Sequence, residues 1–161
     1  MNIKRGILLF TFILALQMAY KTAPVLAQHE KDNQDIKEVI ENLLAAFSRW
    51  DLDSEMGYVS AQYSDTGADG KAVDYDKFKS MAKTLIDNAR KKYIDYSISD
   101  LQIIKLDFND QQNQATAEIE FQWKAFNLDL LKDESGKHVR TISLAKEADS
   151  WKIIRYKQDR P

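Results

Sequence analysis

The chain has 161 residues, 44% of them apolar, with 23 basic against 25 acidic side chains, three tryptophans and no cysteine. A slightly acidic chain without a basic cluster argues against nucleic acid as the main partner. Without cysteine there are no disulfides and no thiolate metal sites, so the fold must rest on its apolar core.

Residues 1–27 read as a secretory signal peptide. Lys4 and Arg5 form a positive start, and residues 6–18 are almost unbroken apolar. Ala23-Pro24-Val25-Leu26-Ala27 then offers small residues at the −3 and −1 positions of a cleavage site after Ala27. The apolar run is shorter than the roughly 20 residues of a membrane span, so no stable membrane anchor is expected. The expectation is an exported domain, residues 28–161, periplasmic or extracellular.

Residues 28–34 read as a frayed start. Ile36, Val39, Ile40, Leu43, Leu44 and Phe47 then recur at spacings of three and four, which places them on one helical face. Asn33 or Asp35 is the expected cap. Asp51 and Asp53 precede a short second pattern, Leu52, Met56 and Val59, and either acid suits the start of a two-turn helix. Residues 63–74, with two glycines and three aspartates, read as a loop. Asp74 is placed to cap a third helix that buries Phe78, Met81, Ala82, Leu85 and Ala89 and ends near Arg90-Lys91-Lys92.

Beyond Lys92 the period changes to two. Ile94, Tyr96 and Ile98 share one parity, Leu101 and Ile103 the other, and Ile104, Leu106 and Phe108 return to the first; such a slip predicts a bulge or bend. After a turn at 109–114, Ala115, Ala117, Ile119, Phe121 and Trp123 alternate cleanly with Thr116, Glu118, Glu120, Gln122 and Lys124. Residues 132–137 read as a second turn. His138, Arg140, Ile142 and Leu144 share a face of the next strand, and residues 147–150 turn into a last strand with Trp151, Ile153 and Ile154. Three helices followed by hairpin-linked strands predict an α+β fold, an antiparallel sheet with helices on one face.

Residues 40–65, IENLLAAFSRWDLDSEMGYVSAQYSD, and 142–158, ISLAKEADSWKIIRYKQ, carry a resemblance to the nuclear transport factor 2-like (NTF2-like) superfamily, in its SnoaL-like and ketosteroid-isomerase-like branch. The first resembles that family's first helix, its Gly-Asp-Leu-Asp joint and its second helix, although Trp50 stands where the family usually has glycine. The second is similar to its final hairpin. The resemblance implies a cone, a strongly bent sheet wrapped around a long helix with a pocket at its open end. It embraces isomerases, dehydratases and cyclases as well as non-catalytic binding and dimerisation modules, so the fold does not decide function.

Asp51, Asp53 and Glu55 have the spacing that opens a calcium loop. Met56 fills the sixth position, where such a loop needs glycine, and Gln62 the twelfth, where it needs glutamate; the acids are read as caps of a helix joint. In the family's steroid isomerases a first-helix tyrosine steadies the oxyanion and an aspartate after the second helix moves the proton. Here the tyrosine position falls on Leu43, which cannot donate, and the base position near Gly67, two residues from Asp65. Asp65, and His138 on a later strand, are the catalytic candidates.

Trp123, Phe126, His138, Arg140 and Arg155 are the candidate ligand-binding residues, for a small anionic or aromatic molecule held by an arginine fork between aromatic walls. The alternative leaves His138 and Arg140 on a solvated strand end. His138 is the single histidine apart from His29 of the polar start, too few for a metal site, and no cofactor motif occurs. The leading reading is an exported, non-enzymatic domain that binds a small ligand or a protein partner, with a homodimer through the outer sheet face. The alternatives are a small cofactor-free isomerase, dehydratase or hydrolase, and a dimerisation module whose cone is filled by Leu43, Phe121, Trp123 and Trp151.

Overall fold

The computed structural model describes residues 28–67 and 69–158, so the signal-peptide reading of residues 1–27 lies outside the described residues. The chain divides into two compact units, Met1–Asp35 and Ile36–Pro161. In the first, residues 28–35 are helical rather than frayed, with Gln28 donating to Asp32 at 3.1 Å and Lys31 facing Asp35 at 3.9 Å. Neither Asn33 nor Asp35 begins a helix, since helical backbone already precedes both.

The second unit opens with helix α1, residues 36–48, whose Ile36, Ile40, Leu43 and Leu44 are buried as the spacing requires. The Trp50 N–H donates to the Phe47 carbonyl at 2.9 Å and the Asp51 N–H to the Ala46 carbonyl at 3.0 Å. These two bonds form a Schellman stop, which demands a left-handed residue at its turning point. Trp50 takes that place with φ of 59°. Glycine is the residue most at ease at such a turning point.

Asp51 then caps helix α2, Leu52–Met56, accepting from the Ser54 N–H. Residues 63–74 are not a plain loop. Strands β1, Ser64–Thr66, and β2, Ala72–Asp74, pair antiparallel around a turn closed by Gly67 and Lys71. Asp74 caps helix α3, Tyr75–Lys92, as expected. Its inward residue is Ile86, flanked by half-buried Tyr75, Phe78, Ala82 and Ala89, while Met81 and Leu85 are 52% and 55% exposed. The helix is turned by about one position from the predicted face, because the 3.6-residue period is anchored on Ile86 rather than on Leu85.

Four antiparallel strands follow in the order β3-β4-β5-β6: Tyr93–Phe108, Gln114–Asn127, Lys132–Glu147 and Ser150–Gln158. The β3–β4 register shifts three times, including between Ser99 and Gln102, which is the bend read from the parity slip. Ile104 is exposed while Leu106 and Phe108 are half-buried, so the second parity switch falls after Ile104, at the register shift between Ile103 and Lys105. Residues 132–137 are strand, paired with 122–127, and the turn lies at 128–131 instead. Asn127 sets it: its side-chain oxygen accepts from the N–H groups of Asp129 and Leu130, and its amide donates to Glu134.

The inner face of the sheet carries Ala115, Ala117, Ile119, Phe121, Ile142, Leu144, Trp151 and Ile153, all buried against α1 together with Met56 and Val59. Each fully buried aliphatic side chain contributes about 1.5–3 kcal/mol. The segment after α2 is stitched to β6, with the Ser60 N–H on the Ile153 carbonyl at 2.8 Å and the Ile153 N–H on the Tyr58 carbonyl at 2.9 Å. This α+β unit, an open, curved antiparallel sheet with helices N-terminal to it, is the predicted fold class. Among the described residues no helix is long and apolar enough to cross a membrane.

Candidate functional site

Strand alternation places Trp123, His138 and Arg140 on the inner face. Trp123 pairs with Gly136, Phe121 with His138, and Ile119 with Arg140. The indole lies so close to the Gly136 backbone that a Cβ there would meet Trp123 Nε1 at 2.7 Å. Glycine is therefore needed for the ring to lie flat over β5. Flat, it forms a ladder across three strands: Tyr96 and His138 stack on its two sides, centroids 6.1 and 6.0 Å away at 13° and 16°. Trp50 extends the wall, 4.8 Å from Tyr96, with Phe47 edge-on to both.

The left-handed backbone of Trp50 costs about 1–2 kcal/mol. Two aromatic contacts, each worth about 0.5–1.5 kcal/mol, offset it. So does Arg90, whose guanidinium donates to the Trp50 carbonyl at 2.7 Å.

Beyond the partly exposed rings the face becomes polar and buried. Arg140 is only 7% exposed, donates to the Val139 carbonyl at 2.9 Å and hydrogen-bonds the Tyr156 hydroxyl. Among the described residues it has no ion-pair partner. Glu55, on α2, is also 7% exposed, and its Oε2 has no hydrogen-bond partner. It lies near enough to Tyr156 to act on that phenol's charge. Burial pushes the Glu55 carboxyl up from its ordinary 4.5 to about 7. Burial, and then Arg140, hold the His138 imidazole below its usual value. Burial raises Tyr96 to about 12, with Arg140 opposing. The Tyr156 phenol is likewise raised, mainly by burial.

The remaining sequence candidates lie elsewhere. Phe126 alternates with inward Ala125 and Asn127 and so faces outward. Period two continued from Trp151 and Ile153 would point Arg155 inward, but the register of β5 and β6 shifts at Ile154. Arg155 therefore sits opposite Ser143 on the outer side, reaching the Ser64 carbonyl at 3.3 Å and Asp65 at 3.6 Å, and Tyr156 takes the inward place. Asp65 belongs to that outer pair and not to the inner face. Leu43, Phe121 and Trp151 are core residues, whereas Trp123 is half-buried. An open groove of about 620 Å³ runs over the outer side among Gln62, Asp107, Thr116, Ser143 and Arg155. It holds no buried titratable group, so the chemistry gathers on the inner face. Among the described residues no three His, Asp or Glu side chains meet as a metal site.

Sequence reasoning passed over Glu55 and Tyr156. Glu55 follows Leu52 by three and precedes Val59 by four, so helical spacing puts it on the same stripe as these apolar residues. That was a usable signal. Tyr156 depends on the bulge, which only the Ile153-Ile154 doublet hints at.

No curated protein matches the chain. Solved structures share the fold at low identity. A protein from Novosphingobium aromaticivorans with the provisional name scytalone dehydratase is 11% identical, with a TM-score of 0.67 over 81% of this chain and 85% of its own. An NTF2-like superfamily protein from Salmonella enterica is 18% identical, with a TM-score of 0.59 over 83% and 94%. A ketosteroid isomerase-like protein from Erwinia carotovora is 17% identical, with a TM-score of 0.57 over 76% and 91%. At such identities these likenesses speak for the fold alone. The sequence model of the SnoaL-like domain matches residues 36–158, which spans the helices and the whole sheet, and the chain belongs to that family.

Proposed function

We propose that the protein is an exported domain that binds a small aromatic or anionic molecule on the inner face of its sheet. One observation carries this reading: the Tyr96–Trp123–His138 ladder leads directly to the buried guanidinium of Arg140. Rings of this kind offer flat apolar walls, and an arginine fork recognises a carboxylate with two parallel bonds. A homodimer through the outer face, where Glu118, Glu120, Gln122 and Lys124 project, is part of the proposal.

Tryptophan fluorescence titrated with a panel of aromatic acids and alcohols tests the reading. Saturable quenching by the acids, weakened at least tenfold by Arg140→Gln, is expected. Equal quenching of both proteins would sink it.

A second reading, acid–base catalysis by a cofactor-free isomerase or dehydratase, draws on Glu55, a buried carboxyl able to hold or release a proton near neutrality. The names carried by the Novosphingobium and Erwinia proteins point the same way. His138 is the other acid–base candidate left on this face, since Asp65 lies outside it.

A further inference from the structure

The groove on the outer side of the sheet has a construction of its own. Strand register sets Asp107, Thr116, Ser143 and Arg155 in one row across β3, β4, β5 and β6. Neighbouring strands lie about 4.8 Å apart, so the row runs for about 14 Å. Its middle is low, because Thr116, Ser143 and the adjoining Ala145 are short, whereas Gln62 and Arg155 on one side and Asp107 and Gln114 on the other are long. Lys152, which pairs with Ala145, leaves the floor open, since its ammonium donates to the Gly57 carbonyl at 2.6 Å. The resulting 620 Å³ falls within the range of about 300–1,000 Å³ common to small-molecule sites.

β6 contributes to this groove twice. The bulge at Ile154 turns both Ile154 and Arg155 outward, between the inward Ile153 and Tyr156, so an apolar side chain stands directly beside a guanidinium. The charges balance: Arg155 lies 3.6 Å from Asp65, and Lys105 lies 2.5 Å from Asp107. The groove therefore favours neither an anion nor a cation. What it offers are the amides of Gln62 and Gln114 and the hydroxyls of Thr116 and Ser143. Among the described residues these four side chains have no hydrogen-bond partner. Amides and hydroxyls both donate and accept, as sugar hydroxyls do, and Ile154 with Ala145 offers contact to the C–H face of a sugar ring.

We propose that the outer groove binds a neutral oligosaccharide, lying across the strands along this row. With no buried titratable group the groove holds its ligand without reacting with it. The site is separate from the inner face, and it ends two residues before Glu118 on β4, where the dimer contact proposed above begins.

The probes are maltotriose, cellotriose and triacetylchitotriose, each titrated into the isotope-labelled native protein and followed by amide NMR. At least one should shift the amides of Thr116, Ser143, Ile154 and Arg155 saturably, while those of His138 and Arg140 stay in place. Thr116 is exposed on a strand, so Thr116→Tyr should fold, block the floor and raise the Kd at least tenfold. No saturable shift with any of the three up to about 10 mM overturns the inference. Shifts centred outside the groove, or an unchanged Kd in Thr116→Tyr, also overturn it. Broadening of the groove amides that grows with protein concentration and excludes the sugar would give the groove to a second copy of the chain and overturn it too. The native titration decides the matter even if the variant does not fold, and none of its outcomes bears on the Arg140 reading, which the aromatic acids test separately.

Discussion

Glu55 makes stability depend on pH in a direction opposite to that of most carboxylates. Its carboxyl is held at about 7 in the folded protein against 4.5 in the unfolded chain. Between those values the folded state binds more protons, so stability is fully present below about 4.5 and is lost as pH rises through 7. At roughly 1.4 kcal/mol per pH unit, the whole effect is about 3 kcal/mol. Most of it, about 2–3 kcal/mol, falls between pH 5 and pH 8.5. Glu55→Gln keeps the side-chain volume and cannot ionise. Any fixed cost of burying an amide shifts its stability equally at every pH. The difference between native protein and variant, from urea unfolding at pH 5, 6, 7 and 8.5, should therefore grow in the variant's favour by that amount. His138, whose lowered value adds stability as pH rises, is common to both and cancels. A difference that stays constant within about 0.5 kcal/mol would show that Glu55 does not ionise in a buried setting.

Two substitutions probe the aromatic wall. At Trp50, glycine should give a more stable protein than alanine by about 1 kcal/mol in thermal or urea unfolding, reversing their usual order, because only glycine is at ease at a φ of 59°; equal stabilities would contradict the Schellman stop. Gly136→Ala should drive the Trp123 indole off β5, costing about 1–3 kcal/mol and changing the near-ultraviolet circular dichroism of the ladder. An unchanged spectrum would mean that the ring does not rest on that backbone.

Much of this was legible in the sequence, and the exceptions have physical causes. The alternation of residues 115–123 contrasts apolar with polar side chains at every step, so β4 could hardly be misread. The hairpin after it was misplaced because Lys-Asp-Glu-Ser-Gly-Lys is polar and carries glycine. That glycine serves the indole above it, whereas the true turn runs through leucines and is set by one asparagine. On the inner face, Trp123, His138 and Arg140 followed from period two alone. Arg155 did not, because one bulged residue reverses every side chain beyond it. Glu55 was hidden by its neighbours: among Asp51 and Asp53 it reads as one more capping acid, although its spacing belongs to the apolar stripe.

The bends of β3 have a second effect. An outer strand of sixteen residues would, if flat, offer a long row of free peptide groups to any extended chain nearby. Its register shifts and the left-handed residues Asp95 and Asp100 break that row into short runs, and the exposed Lys105–Asp107 ion pair keeps one run hydrated. A second strand arriving there would find few consecutive partners before the edge turned away. The curvature that gathers the aromatic ladder thus also guards against edge-to-edge aggregation, which matters for a chain with no disulfide to hold its fold closed.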